Sequence, residues 1–320
     1  MANRTLGKTE LSVLPLCLGG NVFGWTADEQ RSFAVLDAYV EGGGNFIDTA
    51  DTYSAWLPGH VGGESESILG RWMSSRKNRG RVILATKVGS RMGTAPDASG
   101  LSRRYILEEV EASLRRLQTD YIDLYQAHRD DMEIPLEETL DAFDTLVRQG
   151  KVRYIGASNY SAARLREALH ISSQHGYARY ECLQPPYHLM NRAAYEGELQ
   201  ALCLEEGLGV MTYSSLASGF LAGKYRQGKA LPGTPRAKGI QQRYMHEQGF
   251  RVLETLDRVA AAHSATVSQV ALAWIMAQPG ITSAIASATS VEQVHELLGA
   301  VEVSLSEDEV QALNLPTSVR

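Results

Sequence analysis

The chain has 320 residues and a mass of 35.0 kDa, with 44% hydrophobic and 21% charged residues. This composition is typical of a globular protein and excludes a largely disordered chain. The net charge of −6 and the pI of about 5.8 argue against nucleic acid or an anionic membrane as the main partner, because both require clustered Lys and Arg.

Short apolar strands alternate with amphipathic helices along the chain, after a predicted hairpin in residues 6–13. The predicted strands are 14–18, 45–48, 82–87, 121–128, 152–158, 181–185, 209–214 and 281–287. The clearest helix patterns are 102–117, 136–148, 162–170, 195–206 and 250–263. Nearly all-apolar strands separated by helices indicate parallel strands buried on both faces. They predict an α/β fold, a (β/α)8 TIM barrel with an N-terminal β-hairpin, as a single domain over residues 1–320.

The spacing of the strands is regular except between the seventh and the eighth, where residues 216–248 form a long loop. This loop carries six basic residues among several glycines and prolines: Lys224, Arg226, Lys229, Arg236, Lys238 and Arg243. It is either a cover for a cofactor or a solvated excursion. We favour the cover, because long loops without regular structure usually carry function.

The longest apolar stretch, residues 267–288, is interrupted by Pro279 and Gly280. We predict a helix, a turn and a strand there and no membrane span.

The first ten residues lack the apolar core of a signal peptide. No C-x-x-C pair occurs among the three cysteines, so we expect a cytoplasmic protein with reduced, buried thiols at Cys17, Cys182 and Cys203.

Polar residues lie at the C-terminal ends of seven predicted strands, where the active sites of barrels are assembled. In chain order they are Asp48, Lys87, His128, Ser158 with Asn159, Gln184, Tyr213 with Ser214, and Ser287. Tyr53 follows Asp48 in the stretch NFIDTADTYS. The ordinary polarity of loops explains any one of these residues but poorly explains the set Asp, Tyr, Lys and His.

These four residues suggest acid–base chemistry. Asp48 is expected to hold Lys87 charged, and the ammonium is expected to stabilise the phenolate of Tyr53. We therefore predict that the pKa of Tyr53 lies roughly two or three units below the ordinary value of about 10. Tyr53 would then donate a proton near neutral pH, while His128 donates a hydrogen bond to a substrate carbonyl or relays a proton.

The chain resembles the aldo-keto reductases from end to end, and in its long loops it is similar to the branch that includes potassium-channel β-subunits. The most specific motifs are DTADTY, ATK and QAHR, in the order and spacing of the family. The resemblance implies an oxidoreductase that reduces aldehydes or ketones to alcohols with NAD(P)H. It also implies a catalytic tetrad of Asp48, Tyr53, Lys87 and His128.

The resemblance further implies that NADP(H), with NAD(H) left open, lies extended across the barrel mouth. Ser158, Asn159 and Gln184 would hold the carboxamide, and Tyr213 would stack on the nicotinamide. The phosphates and the adenosine would contact Ser214, Leu216, Gly219, Lys224, Ser287, Thr289, Gln293 and Glu296. Ser158-Asn159 and Thr289-Ser290 could instead cap the helices that follow; capping and cofactor binding are compatible, and we favour cofactor binding. Family members often carry an arginine near Thr289 and an asparagine at Leu297, and the absence of both leaves the preference between NADP and NAD open.

Loop residues suggest a substrate contact at Trp25, Trp56, His60 and Arg129. The aromatic rim favours aromatic or medium-sized aldehydes and ketones, although exposed loop aromatics also serve as packing lids. The loop 55–63 is longer than in many family members. We expect a small-molecule carbonyl substrate, no nucleic acid, no membrane and no catalytic metal, with a homo-oligomer left open.

Two other functions are compatible with the barrel. One is a cofactor-sensing regulatory or binding module of the channel β-subunit type, with little turnover. The other is a sugar isomerase or aldolase, which would require a metal cluster or a Schiff-base lysine. All four catalytic residue types are present, and they favour the reductase.

Overall fold

A hairpin of two short antiparallel strands, β1 (Arg4–Thr5) and β2 (Ser12–Val13), precedes a closed barrel of eight parallel strands. The computed structural model describes residues 2–93, 98–234 and 236–317, the last of these in its main chain only. The barrel strands are β3 (Leu16–Gly19), β4 (Phe46–Asp48), β5 (Ile83–Val88), β6 (Ile122–Ala127), β7 (Val152–Ser158), β8 (Tyr180–Gln184), β9 (Gly209–Thr212) and β10 (Ile281–Ala286). Each pairs with the next, and β10 also pairs with β3, so the predicted TIM barrel is confirmed.

Helices surround the barrel. They are α1 (Glu29–Glu41), α2 (Glu64–Arg76), α3 (Arg103–Leu117), α4 (Leu136–Arg148), α5 (Ala162–His175), α6 (Glu198–Glu206), α7 (Ala237–Tyr244), α8 (Glu247–Ala262), α9 (Val267–Met276), α10 (Val291–Gly299) and α11 (Glu307–Asn314). Helix α5 is longer than the pattern predicted and ends at Gly176, which has a left-handed φ of 66°. Helix α6 begins later than predicted, after Gly197 with φ 98°.

The segment 216–248 is not the structureless loop that its composition predicted. Its described part contains a 3-10 helix, Ala217–Ala222, then α7 and the start of α8. Phe220 and Tyr244 are buried and stack on each other with ring centroids 5.5 Å apart. These apolar side chains join the core cluster, which explains why the segment folds back onto the barrel.

The lower part of the barrel interior is apolar. Leu6, Leu11 and Val13 of the hairpin region pack against inward side chains of the strands, including Phe46 and Leu124. Arg4 secures the hairpin by donating to the carbonyls of Met276, at the end of α9, and Ile281, at the start of β10. The hairpin thus closes the N-terminal end of the barrel, and polar strand residues concentrate at the opposite end.

The apolar stretch 267–288 forms α9, a turn and β10, as predicted. Across the described residues, no single helix is long and apolar enough to cross a bilayer. Helices α8 and α9, bent by 94° relative to each other, pass that test of length and composition only when taken as a pair. The three cysteines are free and buried.

Candidate active site

The structure brings together Asp48, Tyr53, Lys87 and His128 at the C-terminal end of the barrel. Asp48 ends β4, Lys87 lies near the end of β5, and His128 directly follows β6. The ammonium Nζ of Lys87 lies 2.6 Å from Asp48 Oδ2 and 2.9 Å from the hydroxyl of Tyr53. The ring of His128 packs edge-on against Tyr53, with centroids 6.0 Å apart.

Lys87 is fully buried, and its charge is compensated on all sides. Its ammonium donates to Asp48, to Tyr53 and to the carbonyl of Thr49 at 2.8 Å, so each of its three N–H groups has an acceptor. Burial alone would lower the pKa of Lys87. The attraction of Asp48 and Tyr53 and the hydrogen bonds to both outweigh it, and the pKa is raised above its ordinary value. Lys87 therefore remains an ammonium.

Asp48 receives further donors from two buried glutamines. Its Oδ1 accepts from Gln184 Nε2 at 2.9 Å and from Gln126 Nε2 at 3.4 Å. Gln126 was missed in the sequence because it lies inside the apolar strand β6. The signal was present, since a glutamine in a buried strand requires a polar partner.

The prediction that the pKa of Tyr53 is lowered is wrong, because the pKa is shifted in the opposite direction. Burial of the Tyr53 hydroxyl is the largest effect and raises its pKa; the charge of Lys87 lowers it, and Asp48 raises it again. The net pKa lies above the ordinary tyrosine value, although the ring is partly exposed toward solvent. Desolvation therefore exceeds the stabilisation of the phenolate by Lys87. Tyr53 is a protonated phenol at neutral pH.

His128 is a neutral imidazole. Burial, the charge of Lys87 and the charge of Arg129 together hold its pKa well below the ordinary value. Its main chain is fixed from both sides, because its N–H donates to Val88 O at 2.9 Å and its carbonyl accepts from Asn159 Nδ2 at 2.9 Å. Nδ1 is buried and has no hydrogen-bond partner within the described structure. A neutral imidazole in this position can donate one hydrogen bond toward the cleft.

A cleft of about 700 Å³ runs from Asp48 and Tyr53 across the barrel mouth to α10. Nine of the twelve predicted cofactor residues line it: Tyr213, Ser214, Leu216, Gly219, Lys224, Ser287, Thr289, Gln293 and Glu296. Trp25 also lines it. Several further lining residues had no predicted part in cofactor binding: Asn21, Val22, Thr26, Tyr225, Thr234 and Ser268. Arg236, predicted only as one of the six loop cations, lines the cleft as well.

The other three predicted cofactor residues lie beside the cleft and do not line it. Ser158, Asn159 and Gln184 form a hydrogen-bonded chain that joins Asp48 to Tyr213. Gln184 donates to Asp48, Ser158 Oγ donates to Gln184 O at 2.9 Å, and Asn159 Nδ2 donates to Ser158 Oγ at 3.0 Å. The Tyr213 hydroxyl then donates to Asn159 Oδ1 at 2.8 Å. Their contact with a carboxamide stays a prediction.

The cleft wall after β9 is suited to anions. Four residues there have left-handed backbone conformations: Ser214, Ala217, Ser218 and Gly219, with φ of 57°, 49°, 59° and 103°. Turns with left-handed residues can present N–H groups to an anion, but here Ala217 N already donates to Ser214 O at 2.7 Å and Gly219 N to Leu216 O at 2.8 Å, so the positive charge of this wall comes from Lys224. Lys224 lines the same wall and, within the described structure, makes no hydrogen bond or ion pair.

Arg236 contributes a second cation to the cleft. Its guanidinium lies over the ring of Trp25, 4.8 Å from the centroid, and burial lowers its pKa. Arg226, by contrast, does not line the cleft and is paired with Asp257 at 2.8 Å. Arg236 was identified in the sequence only as one of six loop cations, because nothing in the sequence showed which of them faces inward.

The predicted adenosine end lies at the start of α10. Ser290 caps this helix, and Gln293 Oε1 accepts from Thr289 N at 2.8 Å. The capping interpretation is therefore correct for Ser290. The Glu296 carboxylate accepts from two hydroxyls at 2.8 Å each, those of Thr266 and Ser268. Ser287 Oγ donates to Asn21 Oδ1 at 2.6 Å across the cleft.

The predicted substrate residues form two groups. Trp56 contacts Trp25 and Tyr53 edge-on, with centroids 5.5 and 5.9 Å apart, and is 48% exposed. These three rings form an aromatic wall. His60 lies 3.6 Å from Glu64 on the flank of the loop, and Arg129 is exposed beside His128. Within the described structure no group of three or more His, Cys, Asp or Glu is arranged to hold a metal ion.

The chain is similar to known proteins over nearly its whole length. The family model described as "Aldo/keto reductase family" matches residues 15–315. A curated relative from Bacillus subtilis (strain 168), named "Uncharacterized oxidoreductase YrpG", is 37% identical over 314 residues. The match covers 97% of this chain and 94% of that protein.

Proposed function

The chain belongs to the aldo/keto reductase family, and from this premise we propose that it reduces aldehydes or ketones to alcohols with NADP(H), using Tyr53 as the general acid. The family and the oxidoreductase relative support an oxidoreductase activity. The observation that carries the finer proposal is the buried ammonium of Lys87, held between Asp48 and the hydroxyl of Tyr53 at the floor of the cleft.

The residues present fit a nicotinamide dinucleotide. Lys224 and Arg236 have no carboxylate partner within the described structure, and the left-handed turn after β9 lies on the same cleft. Two cations without a carboxylate partner are suited to binding a pyrophosphate. Tyr213 offers a flat phenol ring near Tyr53. The bound cofactor would supply the hydride.

The protein's own part in the reaction is to place and protonate the carbonyl oxygen. In the proposed mechanism, the substrate oxygen accepts hydrogen bonds from the Tyr53 hydroxyl and from the neutral imidazole of His128. As the carbonyl carbon receives a hydride, the O–H bond of Tyr53 breaks and its proton passes to the oxygen, which gives the alcohol. The ammonium of Lys87 stabilises the phenolate left behind, and a proton from solvent restores the phenol.

The proposal is tested by NADPH oxidation with 4-nitrobenzaldehyde. We expect turnover, with one 4-nitrobenzyl alcohol formed for each NADPH consumed. Tight NADPH binding without turnover on a panel of aldehydes and ketones would instead support the cofactor-sensing module. Failure to bind either NADPH or NADH would reject both.

The pH dependence of reduction follows from the pKa shifts. A general acid works only when protonated. Because the pKa of Tyr53 is raised above the ordinary tyrosine value of about 10, the protonated form predominates throughout the neutral and mildly alkaline range. His128 stays neutral because its pKa is lowered. We expect kcat/KM for reduction to be flat from about pH 6 to 9, and alcohol oxidation, which requires the phenolate, to increase through this range. A bell-shaped reduction profile centred near neutral pH would contradict this assignment.

Arg236 is expected to contribute to cofactor affinity. Replacement by Gln removes a cation from the cleft, and loss of one charged hydrogen bond should raise the Kd for NADPH roughly tenfold. The increase for NADH should be similar, because the proposed role of Arg236 is to bind the pyrophosphate, which both cofactors carry. Isothermal titration calorimetry measures both constants. Arg226→Gln is the matched control, since Arg226 pairs with Asp257 outside the cleft and should leave both constants unchanged.

A further inference from the structure

Arg129 is an exposed cation next to the proposed catalytic histidine. It follows His128, whose ring packs against Tyr53 and whose carbonyl is held by Asn159. The backbone that carries Arg129 is therefore fixed relative to the phenol. Arg129 does not line the cleft itself, but it is exposed and directly follows His128, whose ring packs against Tyr53 at the end where the carbonyl would react.

The charge of Arg129 acts on two elements of the site. It contributes, after burial and Lys87, to lowering the pKa of His128. It also acts on Tyr213, whose pKa is raised by burial and pulled back by the charges of Lys87 and Arg129. His128 follows β6 and Tyr213 follows β9, so the guanidinium lies within electrostatic reach of both ends of the Tyr213–Asn159–His128 connection.

The charge is not neutralised by the protein. The adjacent carboxylate of Asp130 is held at 3.0 Å by the guanidinium of Arg164. Asp131 accepts from the backbone N–H groups of Leu101 at 2.9 Å and Glu133 at 3.1 Å. Within residues 2–93, 98–234 and 236–317, Arg129 itself makes no hydrogen bond or ion pair. Arg164, near the start of α5, by contrast binds the carboxylates of both Asp130 and Glu167.

An unpaired guanidinium at this position has a chemical consequence. The chain carries a net charge of −6, which on its own repels anionic substrates. A planar guanidinium binds carboxylate and phosphate groups through paired hydrogen bonds. The cofactor's phosphates would lie elsewhere, along the wall with Lys224 and Arg236. Arg129 is thus available to the substrate.

We propose that Arg129 selects carbonyl substrates that carry an anionic group, a carboxylate or a phosphate, beyond the reacting carbon. The aromatic wall of Trp25, Trp56 and Tyr53 would hold the body of the substrate, and the guanidinium would bind its charged end. This inference rests on the proposed carbonyl reduction and specifies its substrate class.

The test compares aldehydes that differ in charge. The substrates are 4-carboxybenzaldehyde and 4-formylphenyl phosphate, with neutral 4-nitrobenzaldehyde as reference. We expect the wild-type protein to prefer at least one anionic aldehyde by kcat/KM, and the preference to weaken with added salt. In Arg129→Gln, kcat/KM for that aldehyde should fall roughly 5- to 30-fold, as expected for one partly solvated charged contact, while the value for 4-nitrobenzaldehyde stays within about twofold. The two anionic arms distinguish a carboxylate site from a phosphate site.

Binding provides a readout that does not require turnover. The Kd of 4-(hydroxymethyl)benzoate, measured by calorimetry in the presence of oxidised cofactor, should rise in Arg129→Gln by a similar factor, while the Kd of NADPH is unchanged. Arg166→Gln, an exposed arginine on the outer helix α5, is the matched control and should change neither.

The outcomes separate the two proposals. If no aldehyde is reduced, the proposed function itself fails. If neutral and anionic aldehydes are reduced equally well and Arg129→Gln changes neither, carbonyl reduction stands and the role of Arg129 is overturned. If Arg129→Gln chiefly weakens NADPH binding, the guanidinium serves the cofactor and the inference is likewise overturned.

Discussion

Replacement of Tyr53 by Phe should lower kcat for carbonyl reduction by roughly 10²- to 10⁴-fold, the contribution usual for a positioned general acid. The hydroxyl receives a hydrogen bond from Lys87 at 2.9 Å and lies on the cleft, so its removal deletes the proton donor and little else. The Kd for NADPH should change by less than about threefold. Steady-state kinetics and calorimetry measure the two quantities separately.

Tyr154→Phe is the matched control for this variant. Tyr154 lies on β7 and contacts the apolar cluster at the closed end of the barrel, and its hydroxyl accepts from Glu10 N at 3.2 Å. Its loss should leave kcat unchanged. A Tyr53→Phe protein with the kcat of the wild type would remove Tyr53 from the chemistry.

Breaking the ion pair between Lys87 and Asp48 should cost both activity and stability. Both side chains are buried, with the ammonium 2.6 Å from the carboxylate. Lys87→Met leaves a buried carboxylate, and Asp48→Asn leaves a buried ammonium. Either change should lower the free energy of unfolding by roughly 3 to 5 kcal/mol, because an uncompensated charge is left in the interior. Urea denaturation followed by circular dichroism measures this loss.

The double variant separates the structural from the chemical role of the pair. Asp48→Asn combined with Lys87→Met removes both charges, so most of the lost stability should return, whereas activity should stay low because Tyr53 has lost its ammonium. A double variant as unstable as the sum of the single variants would show that the two side chains do not act as a pair.

The pH dependence of the free energy of unfolding offers a check on the same pair. The pKa of Lys87 is raised in the folded protein, so its stabilising contribution is fully present below the unfolded pKa of about 10.4 and is lost as pH rises through the folded pKa. The stability difference between the wild type and Lys87→Met should thus be constant from about pH 6 to 9.

The barrel was predictable because its signals are local and repeated. Eight apolar strands separated by helices permit few other arrangements, and polar residues at successive strand ends must meet at one rim. The sequence alone therefore predicts that Asp48, Lys87 and His128 lie together. The boundaries were less accurate, since α6 begins only after Gly197 with its left-handed backbone.

The features that could not be predicted depend on how deeply a side chain is buried and on which way it points. The sign of the Tyr53 pKa shift depends on how far its hydroxyl is buried, and no local pattern records this. Gln126 was hidden in an apolar strand, and Arg236 could not be distinguished from five other loop cations until Trp25 was found beneath it. The glycines and prolines of the segment 216–248 predict a loop, but its buried Phe220 and Tyr244 fold it onto the barrel.

Tracing the hydride with deuterium is the most direct test of the proposed chemistry. The protein would be incubated with 4-nitrobenzaldehyde and NADPH dideuterated at C4 of the nicotinamide, and the alcohol analysed by NMR. If the cleft above Tyr53 is a carbonyl reductase site, one deuterium appears on the benzylic carbon for each NADPH oxidised. NADPH oxidation that yields no alcohol, or an alcohol without deuterium, would contradict hydride transfer at this site.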